Sequence, residues 1–511
     1  MELSFVASTV SVILLVYLFY KYFIEINNYW EKKGVPTVPG ALPLIGHLSM
    51  IFRTHKSLPC FCAEIYKANT GRSMVGFYQA RNPTLMLMDP ELIKTVLIKD
   101  FPKFHENVFN VNEKIDPLVS KNPFFTSGDK WKLQRNRLSY ALMSSKKLRI
   151  LCLAIARVCE KFTKYLADQV ERSKDGICEI DTKIFSNCFT GEVVASAGFG
   201  VEGDFFVNGS GPNSFREAVE GFMEPSFLNS FMQTMLFLCP RLNTVLQLPF
   251  LPKKMDSFFR RIIREMISLR EKDGIPRNDF LQLMLENSKS KSEEIDEESI
   301  AASATSFFLD GYETSAITLG FFAYQLAENP DVQTKLRDEV NTILEKHEGQ
   351  MSYECLGEMT YMDQALNESM RLYPALGVLQ KKSSEPLKIV GEDGIECTLE
   401  PNTDLVISVQ GIHRDPKYWP NPNIFDPERF NDERKHERPK MAFLPFGEGP
   451  RICVGMRFAL LQIKAAASMI LKEFSIEKSS KNNRPLVYGP GAILTSIEGG
   501  VWVKLRSLKR P

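Results

Sequence analysis

The 511-residue sequence predicts a mainly α fold with a small β portion, organised as one large domain behind an N-terminal membrane anchor. A long helical pattern runs from Ser299 to Glu328 and stops at Asn329-Pro330, where proline cannot continue a helix. Loose alternation of apolar residues between Ser73 and Leu87 indicates a short hairpin. The uncharged run from Leu3 to Tyr20 is just long enough to cross a ~30 Å hydrocarbon layer as a helix.

Flanking residues give the anchor an orientation. Lys32 and Lys33 follow the apolar run and no basic residue precedes it, which predicts that the rest of the chain lies in the cytosol. A cleaved signal peptide is the alternative, but there is neither a basic n-region nor a convincing small-residue cleavage site. We therefore predict an anchor over residues 1–22, a linker with a proline-rich hinge over 23–46, and the main domain over 47–511.

Composition excludes some classes of partner. A net charge of +1 gives no reason to expect a nucleic-acid partner. The ten cysteines are scattered without a disulfide framework, which favours a reducing compartment that faces the cytosol.

The most specific stretch is the glycine-rich loop from Phe446 to Gly455, which places Cys453 just before a helical run that begins near Met456. Glycines allow tight turns and close approach to a flat ligand, and backbone N–H groups at a helix N-terminus favour a thiolate. Arg451 adds a positive charge suited to a carboxylate. A cysteine without a C-x-x-C partner fits an iron whose other ligands come from a porphyrin. A buried structural cysteine is the alternative.

Two further motifs carry polar groups on one helix face. Trp131 and Arg135 are four residues apart, so both can donate to the same anionic group. In the long helix, Gly311 would let a flat ligand approach the backbone, and Glu313-Thr314 supply an acid and a hydroxyl for proton delivery.

A third group of charges is predicted to be structural. Glu368 and Arg371 are three residues apart on a helix that ends at Tyr373-Pro374, so they can pair, and Arg429 offers a second arginine. A buried ion network of this kind strongly penalises the loss of one partner.

The pattern F-x-x-G-x-R-x-C-x-G resembles the haem-binding signature of the cytochrome P450 family, matching at Phe446, Gly449, Arg451, Cys453 and Gly455. The resemblance implies the P450 fold, haem b with Cys453 as the thiolate ligand, and a monooxygenase activity. It implies that Trp131 and Arg135 hold a propionate, that the Glu313-Thr314 segment matches A-G-x-D/E-T, and that Glu368, Arg371 and Arg429 interlock behind the haem loop.

Asp310 departs from the family pattern, which mostly has alanine or glycine at this position. It lies four residues before Thr314 on the face turned toward the cofactor, where an unpaired carboxylate is costly. One family branch, the fatty-acid ω-hydroxylases, has a glutamate here that forms an ester with a haem methyl. Two hypotheses follow: Asp310 forms such an ester, or it accepts hydrogen bonds at the pocket wall.

The resemblance also suggests what surrounds the cofactor. Lys381 falls where relatives often have a propionate-binding arginine, although lysine lacks the bidentate fork. The residues expected to line the substrate pocket are almost wholly apolar, which indicates a lipophilic substrate. They are Phe109, Ile115, Leu118, Val119, residues 222–237, Leu376 to Leu379, Ile493 and Leu494.

No G-x-G-x-x-G follows a strand, so a separate NADPH-dependent flavoprotein reductase is implied, with cytochrome b5 as an optional second donor. Candidate basic contacts for it are Lys132, Arg137, Arg434, Lys435, Lys440 and Lys464. The pattern looks most like insect microsomal members that oxidise plant toxins, insecticides or hormone-like lipids, at the endoplasmic reticulum membrane. The alternatives are a haem-thiolate peroxide isomerase without a reductase and a protein that sequesters hydrophobic ligands.

Overall fold

The computed structural model describes residues 9–14, 16–18, 28–54, 56–109, 111–173, 175–207, 214–219, 232, 236–237, 243, 245–290, 296–489 and 493–508. Within the apolar N-terminal run, residues 9–14 and 16–18 are helical, and the rest of the predicted anchor lies outside the described residues. None of the helices in the described residues combines the length and the apolar character needed to span a membrane.

Helices make up most of the described chain, as predicted. In chain order they are α1 Tyr29–Lys32, α2 Leu48–Thr54, α3 Leu58–Ala68, α4 Pro90–Lys94, α5 Gly128–Leu142, α6 Ser145–Glu171, α7 Thr182–Phe199, α8 Phe215–Val219, α9 Lys253–Asp273, α10 Phe280–Ser290, α11 Glu297–Glu328, α12 Pro330–Lys346, α13 Tyr353–Glu358, α14 Thr360–Leu372, α15 Val409–Ile412 and α16 Met456–Glu473.

The strands in the described part of the chain form three small sheets. They are β1 Met74–Gln79, β2 Asn82–Leu87, β3 Ile177–Asp181, β4 Val378–Lys382, β5 Leu387–Val390, β6 Glu396–Leu399, β7 Asp404–Ser408, β8 Phe474–Lys478 and β9 Trp502–Ser507. The sheet orders are β1-β2-β7-β4, β3-β9-β8 and β5-β6. The predicted hairpin is confirmed, because β1 and β2 pair antiparallel from Met74 opposite Leu87 to Gln79 opposite Asn82.

Helix α11 runs through the main hydrophobic core and carries the central motif. The Asp296 side chain caps it by accepting a hydrogen bond from the Ser299 N–H at 2.8 Å, and the helix ends at Glu328, two residues before Pro330. Buried residues cover most of its circumference, which is typical of a helix enclosed by other elements. The predicted long helix is therefore confirmed and begins two residues earlier, at Glu297.

His413, directly after α15, connects α14 to the loop that carries Cys453. Its ring is fully buried; Nδ1 lies 3.2 Å from the Arg371 carbonyl and Nε2 accepts a hydrogen bond from the Leu444 N–H at 2.8 Å. The neutral ring with its proton on Nδ1 satisfies both contacts, whereas a proton on Nε2 would face the Leu444 N–H. Burial, followed by the charge of Arg371, lowers the pKa of His413 to about 3.

We expect acid to destabilise the fold through His413. The ring stays neutral in the folded chain, whereas the unfolded chain takes up a proton below its ordinary pKa, so stability falls as pH drops from about 6.5 toward 3. At pH 5 the expected loss relative to pH 7 is about 2 kcal/mol. Urea denaturation at both pH values measures it.

The control replaces each of two histidines by glutamine. His413→Gln should remove about 2 kcal/mol of the difference between pH 7 and pH 5. His436→Gln, at an exposed position, should leave the difference unchanged. An unchanged difference in His413→Gln would contradict the assignment.

Candidate functional site

A largely apolar cavity of about 420 Å³ brings together residues from several predicted motifs. Its wall includes Trp131 and Arg135 of α5, Asp310 and Thr314 of α11, and Cys453 of the glycine-rich loop. We call it the central cavity. The sequence therefore placed these side chains at one site although they are separated by more than 300 residues along the chain.

Local turns hold Cys453 at the cavity wall. The Cys453 N–H donates to the Phe446 carbonyl at 2.9 Å, which closes the loop on itself. Gly449 has a φ of +78°, and a Cβ there would lie 2.0 Å from the Leu97 carbonyl oxygen, so this position requires glycine. Helix α16 begins directly after Gly455, as predicted. The loop thus exposes one sulfur atom to the central cavity.

The pKa of the Cys453 thiol differs from the prediction. Burial raises it to about 11. The N–H groups of Gly455 and Met456 act in the predicted direction and lower it, as does the charge of Arg135, but burial outweighs them. A metal ion bound at Cys453 would supply the additional positive charge, because a thiol that binds a metal ion is deprotonated.

Three cationic side chains lie near one another on the cavity wall. Arg451 contacts the Trp131 ring, with its guanidinium carbon 4.6 Å from the ring centroid, and donates to the Pro123 carbonyl at 2.8 Å. Burial and then the charge of Arg135 lower the pKa of Arg451 to about 10. Burial and then the charge of Arg451 lower the pKa of Lys381 to about 7.

These cations lack a carboxylate partner among the described residues. The Lys381 ammonium donates to the neutral Asn107 Oδ1 at 2.8 Å, and the Arg451 Nε is buried without a hydrogen-bond partner. Mutually repelling cations are stabilised by a bound anion. The cluster of Arg135, Lys381 and Arg451 therefore suits a ligand with carboxylate groups, and a porphyrin with two propionates has this chemistry.

The α11 motif has two features that the sequence suggested. The Thr314 hydroxyl donates back to the Asp310 carbonyl at 2.7 Å, as expected for a threonine that competes with the helix ladder. Gly311 lines the cavity, but a Cβ there would lie 3.1 Å from Val194 Cγ1 on α7. Close packing of α7 against α11 therefore also accounts for this glycine.

Glu313 is paired rather than free. Its side chain is buried, its Oε1 lies 3.1 Å from the ammonium of Lys183 on α7, and its Oε2 has no hydrogen-bond partner among the described residues. Lys183 itself is about half exposed, with 44% of its side chain accessible. The pair therefore joins the cavity wall to solvent, a position from which a carboxyl can exchange protons.

Asp310 is held by a neutral amide. The Asn122 side-chain nitrogen donates to both carboxylate oxygens, at 3.1 and 3.0 Å, and the Asn122 Oδ1 accepts from the Phe124 N–H at 2.8 Å. The second contact fixes the orientation of the amide, so its NH₂ group must face Asp310. Burial raises the pKa of Asp310 to about 6.

The predicted structural charges are also brought together. Arg371 forms two hydrogen bonds of 2.7 Å to the two oxygens of Glu368, and the Arg429 Nε lies 3.3 Å from Glu368 Oε1. All three side chains are buried. Arg371 also donates to carbonyls of the segment that leads to the glycine-rich loop, so the network supports that loop from behind.

The predicted pocket residues are found in part. Those that line the central cavity are Phe109, Val119, Leu376, Val378, Leu379, Ile493, Leu494 and, within the 222–237 stretch, Met232, Leu236 and Phe237. Ile115 and Leu118 do not line it; Leu118 is fully buried in the adjacent core. Most of residues 222–237 lie outside the described residues.

Two of the predicted reductase contacts are wrong, because their side chains are buried. Lys464 is 4% exposed and donates to Asp363 and to the Met359 carbonyl, and Arg137 is 9% exposed. Lys132, Lys435 and Lys440 are exposed and Arg434 is partly exposed, and each of the four pairs with an acidic side chain. These four of the six predicted contacts are accessible to another protein.

Sequence reasoning did not identify the partners of the functional side chains. Asn107, Asn122 and Lys183 contact Lys381, Asp310 and Glu313 respectively. Each partner is more than 100 residues away along the chain, and none has a local pattern that distinguishes it from a surface residue.

Comparisons with known proteins agree with this fold. The sequence profile described as Cytochrome P450 matches residues 36–502. Cytochrome P450 6a2 of Drosophila melanogaster is 32% identical over 514 aligned residues, which cover 97% of each chain. Cytochrome P450 9e2 of Blattella germanica is 31% identical, with 94% of each chain covered.

A single cysteine among the described residues of an apolar cavity wall, beside a cationic cluster in a mainly helical domain, fits the haem-thiolate class of oxidoreductases. The chain belongs to the cytochrome P450 family, and it is a monooxygenase whose implied cofactor is haem b.

Proposed function

We propose that this protein inserts one oxygen atom from O₂ into a lipophilic small molecule, with electrons that a separate flavoprotein reductase takes from NADPH. The observation that carries the proposal is the central cavity, where the Cys453 sulfur, the acid and hydroxyl of α11 and a largely apolar wall meet. Xenobiotics, plant toxins, insecticides and hormone-like lipids have the required apolar character.

The residues have distinct roles in the proposal. Haem, when bound, supplies an iron centre that activates O₂. Cys453 would ligate the iron, and Arg135, Arg451 and Lys381 would hold the propionates. Glu313 would relay protons from solvent beside Lys183 through its Oε2, which has no hydrogen-bond partner among the described residues. The Thr314 hydroxyl would orient that proton toward the reacting oxygen.

The membrane part of the proposal comes from the sequence. We propose a single-pass anchor over residues 1–22 in the endoplasmic reticulum membrane, with the domain over 47–511 in the cytosol. The uncharged run before Lys32 and Lys33 supports it. The reductase, and cytochrome b5 as an optional donor, would then dock on the cytosolic domain.

For Asp310 we propose a free, hydrogen-bonded carboxylate. The contact with Asn122 supports it, because both oxygens are already engaged by one fixed amide. An ester to haem is the other hypothesis from the sequence. Acid extraction distinguishes them: a free carboxylate predicts complete release of haem from the polypeptide, whereas an ester retains it.

Reconstitution tests the proposed function. The full chain, loaded with haem and mixed with reductase and NADPH, should oxidise members of a panel of lipophilic compounds, with O₂ consumed. Ligand binding without NADPH consumption would instead indicate a sequestering protein. Rearrangement of a hydroperoxide without reductase would indicate a peroxide isomerase.

We expect Glu313→Gln to lower turnover by roughly 10²–10⁴-fold, the usual contribution of a positioned proton donor. Haem content and substrate affinity should stay unchanged, because the amide keeps the shape of the side chain. The measurement is turnover in the reconstituted system. Glu297→Gln is the control: it lies in the first turn of the same helix, pairs with Arg264 at the surface, and should have no effect.

A further inference from the structure

The carboxylates that line the central cavity differ in how their charge is balanced. They are Asp310, Glu313 and Glu448. Glu313 pairs with Lys183 at 3.1 Å and Glu448 with Lys440 at 3.0 Å. Asp310 has no lysine, arginine or histidine within ion-pair distance in the part of the chain that the structure describes, and its hydrogen-bond partner there is the neutral Asn122.

The accessible surface of Asp310 belongs to the cavity. The residue lies in the middle of α11, between the partly buried Leu309 and Gly311, and its own side chain is exposed and lines the cavity. Asn122 is only 3% exposed, and its amide is fixed by the Phe124 N–H, so it cannot turn away from the carboxylate. The carboxylate is thus fixed in position and open to a ligand.

An ionised carboxylate with no cation beside it is unfavourable in the apolar central cavity. An ionised group that faces an apolar cavity instead of bulk water is destabilised unless it is paired, and one neutral amide compensates only part of this. With its pKa raised to about 6, Asp310 is still mainly ionised at pH 7.5. A ligand that brings a positive charge to Asp310 removes the penalty and gains a charge-assisted hydrogen bond.

We propose that Asp310 is a specificity-determining residue that binds the protonated amine of lipophilic basic substrates. The apolar wall, with side chains such as Phe109, Leu379 and Ile493, takes the hydrocarbon body, and the carboxylate takes the ammonium group. This inference rests on the proposed function, because it names the class of substrate for the same cavity.

A matched ligand pair tests the inference. N,N-Dimethyl-3-phenylpropylamine is cationic at pH 7.5, and 4-methylpentylbenzene has the same shape without charge. Their dissociation constants are measured by equilibrium dialysis on the haem-loaded full chain, and the preference is the ratio of the isostere's value to the amine's value. Asp310→Asn should lower this ratio by about 10–100-fold, as expected when a hydrogen bond to a charged group is lost.

Each result of this test either supports the inference or overturns it. A ratio unchanged in Asp310→Asn overturns the inference, and so does haem that stays on the wild-type polypeptide after acid extraction, since an esterified carboxylate has no charge. If Asp310→Asn fails to bind the neutral isostere, Asp310→Glu replaces it: an amine preference kept by this variant supports the inference, and a lost preference overturns it.

Failure of the proposed function gives a different result. The neutral isostere would then bind without being oxidised in the presence of reductase and NADPH, whatever its affinity relative to the amine. Binding preference and turnover are separate measurements, so each proposal can fail alone.

Discussion

Replacing Cys453 by serine is expected to abolish monooxygenase activity while the protein stays folded. Serine keeps the size of the side chain, and the sulfur faces the cavity rather than the core, so no packing contact is lost. A serine oxygen donates less electron density to iron than a thiolate does, so it does not support cleavage of the O–O bond. Loss of a residue that only hydrogen-bonds to a metal ligand lowers activity by roughly 10–100-fold. Loss of the ligand itself should lower turnover by more than this.

The direct measurement is the absorption spectrum of the reduced protein with carbon monoxide. Thiolate ligation moves the Soret band far to the red of its position with histidine ligation, so the wild type should show the red-shifted band and Cys453→Ser should lack it. Cys178→Ser is the control, since Cys178 lies on β3 and does not line the central cavity. The red-shifted band in Cys453→Ser, or its loss in Cys178→Ser, would contradict the assignment.

Features encoded by neighbouring residues could be predicted from the sequence. The loop around Cys453 depends on glycines that are required locally, such as Gly449 with its positive φ, and the ends of α11 depend on Asp296 and Pro330. Helix capping and tight turns depend on a few neighbouring residues, so they can be predicted without knowledge of the fold.

Partners that come from distant parts of the chain could not be predicted. The contact between Asn122 and Asp310 spans 188 residues, and it decides how the charge of Asp310 is accommodated. Its existence depends on how the segment before α5 packs on α11. Lys464 was wrongly predicted to be a surface lysine for the same reason. Its burial against Asp363 and α13–α14 depends on residues that are distant along the chain.

The direction of the pKa shift of Cys453 could not be predicted from the sequence either, because it depends on the relative sizes of opposing effects. The sequence correctly indicated N–H groups that favour the Cys453 thiolate, yet burial is larger and raises the thiol pKa. Burial depends on the whole cavity, whereas the N–H groups depend on the loop alone. Only the folded chain shows which of the two dominates.

The largest loss of stability is expected from Arg371→Ala. The guanidinium is fully buried and donates to both oxygens of Glu368 at 2.7 Å, as well as to the carbonyls of His413 and Pro422 at 2.9 and 2.8 Å. Its removal leaves the charge of Glu368 buried with Arg429 as its nearest cation and leaves the carbonyls without donors. Breaking a buried pair in this way costs roughly 3–5 kcal/mol of the free energy of unfolding.

Urea denaturation measures this loss, and three further variants separate its causes. Arg371→Lys keeps the charge but loses the two-pronged contact, so it should cost less than alanine. Glu368→Gln combined with Arg371→Ala should cost less than the sum of the single changes, because the uncompensated charge is gone. Arg506→Ala breaks a surface pair with Glu477 at 2.8 Å and should leave the free energy of unfolding nearly unchanged, because solvent screens an exposed pair.

The position of the network adds a second consequence for Arg371→Ala. The carbonyls that Arg371 binds belong to the segment between α15 and the glycine-rich loop, and His413 in the same segment holds the Leu444 N–H. Loss of the guanidinium should therefore loosen the Cys453 loop before the rest of the domain, and haem should dissociate at a lower urea concentration than the helical signal is lost. If Arg371→Ala is as stable as the wild type and loses haem and the helical signal at the same urea concentration, the network does not support the loop.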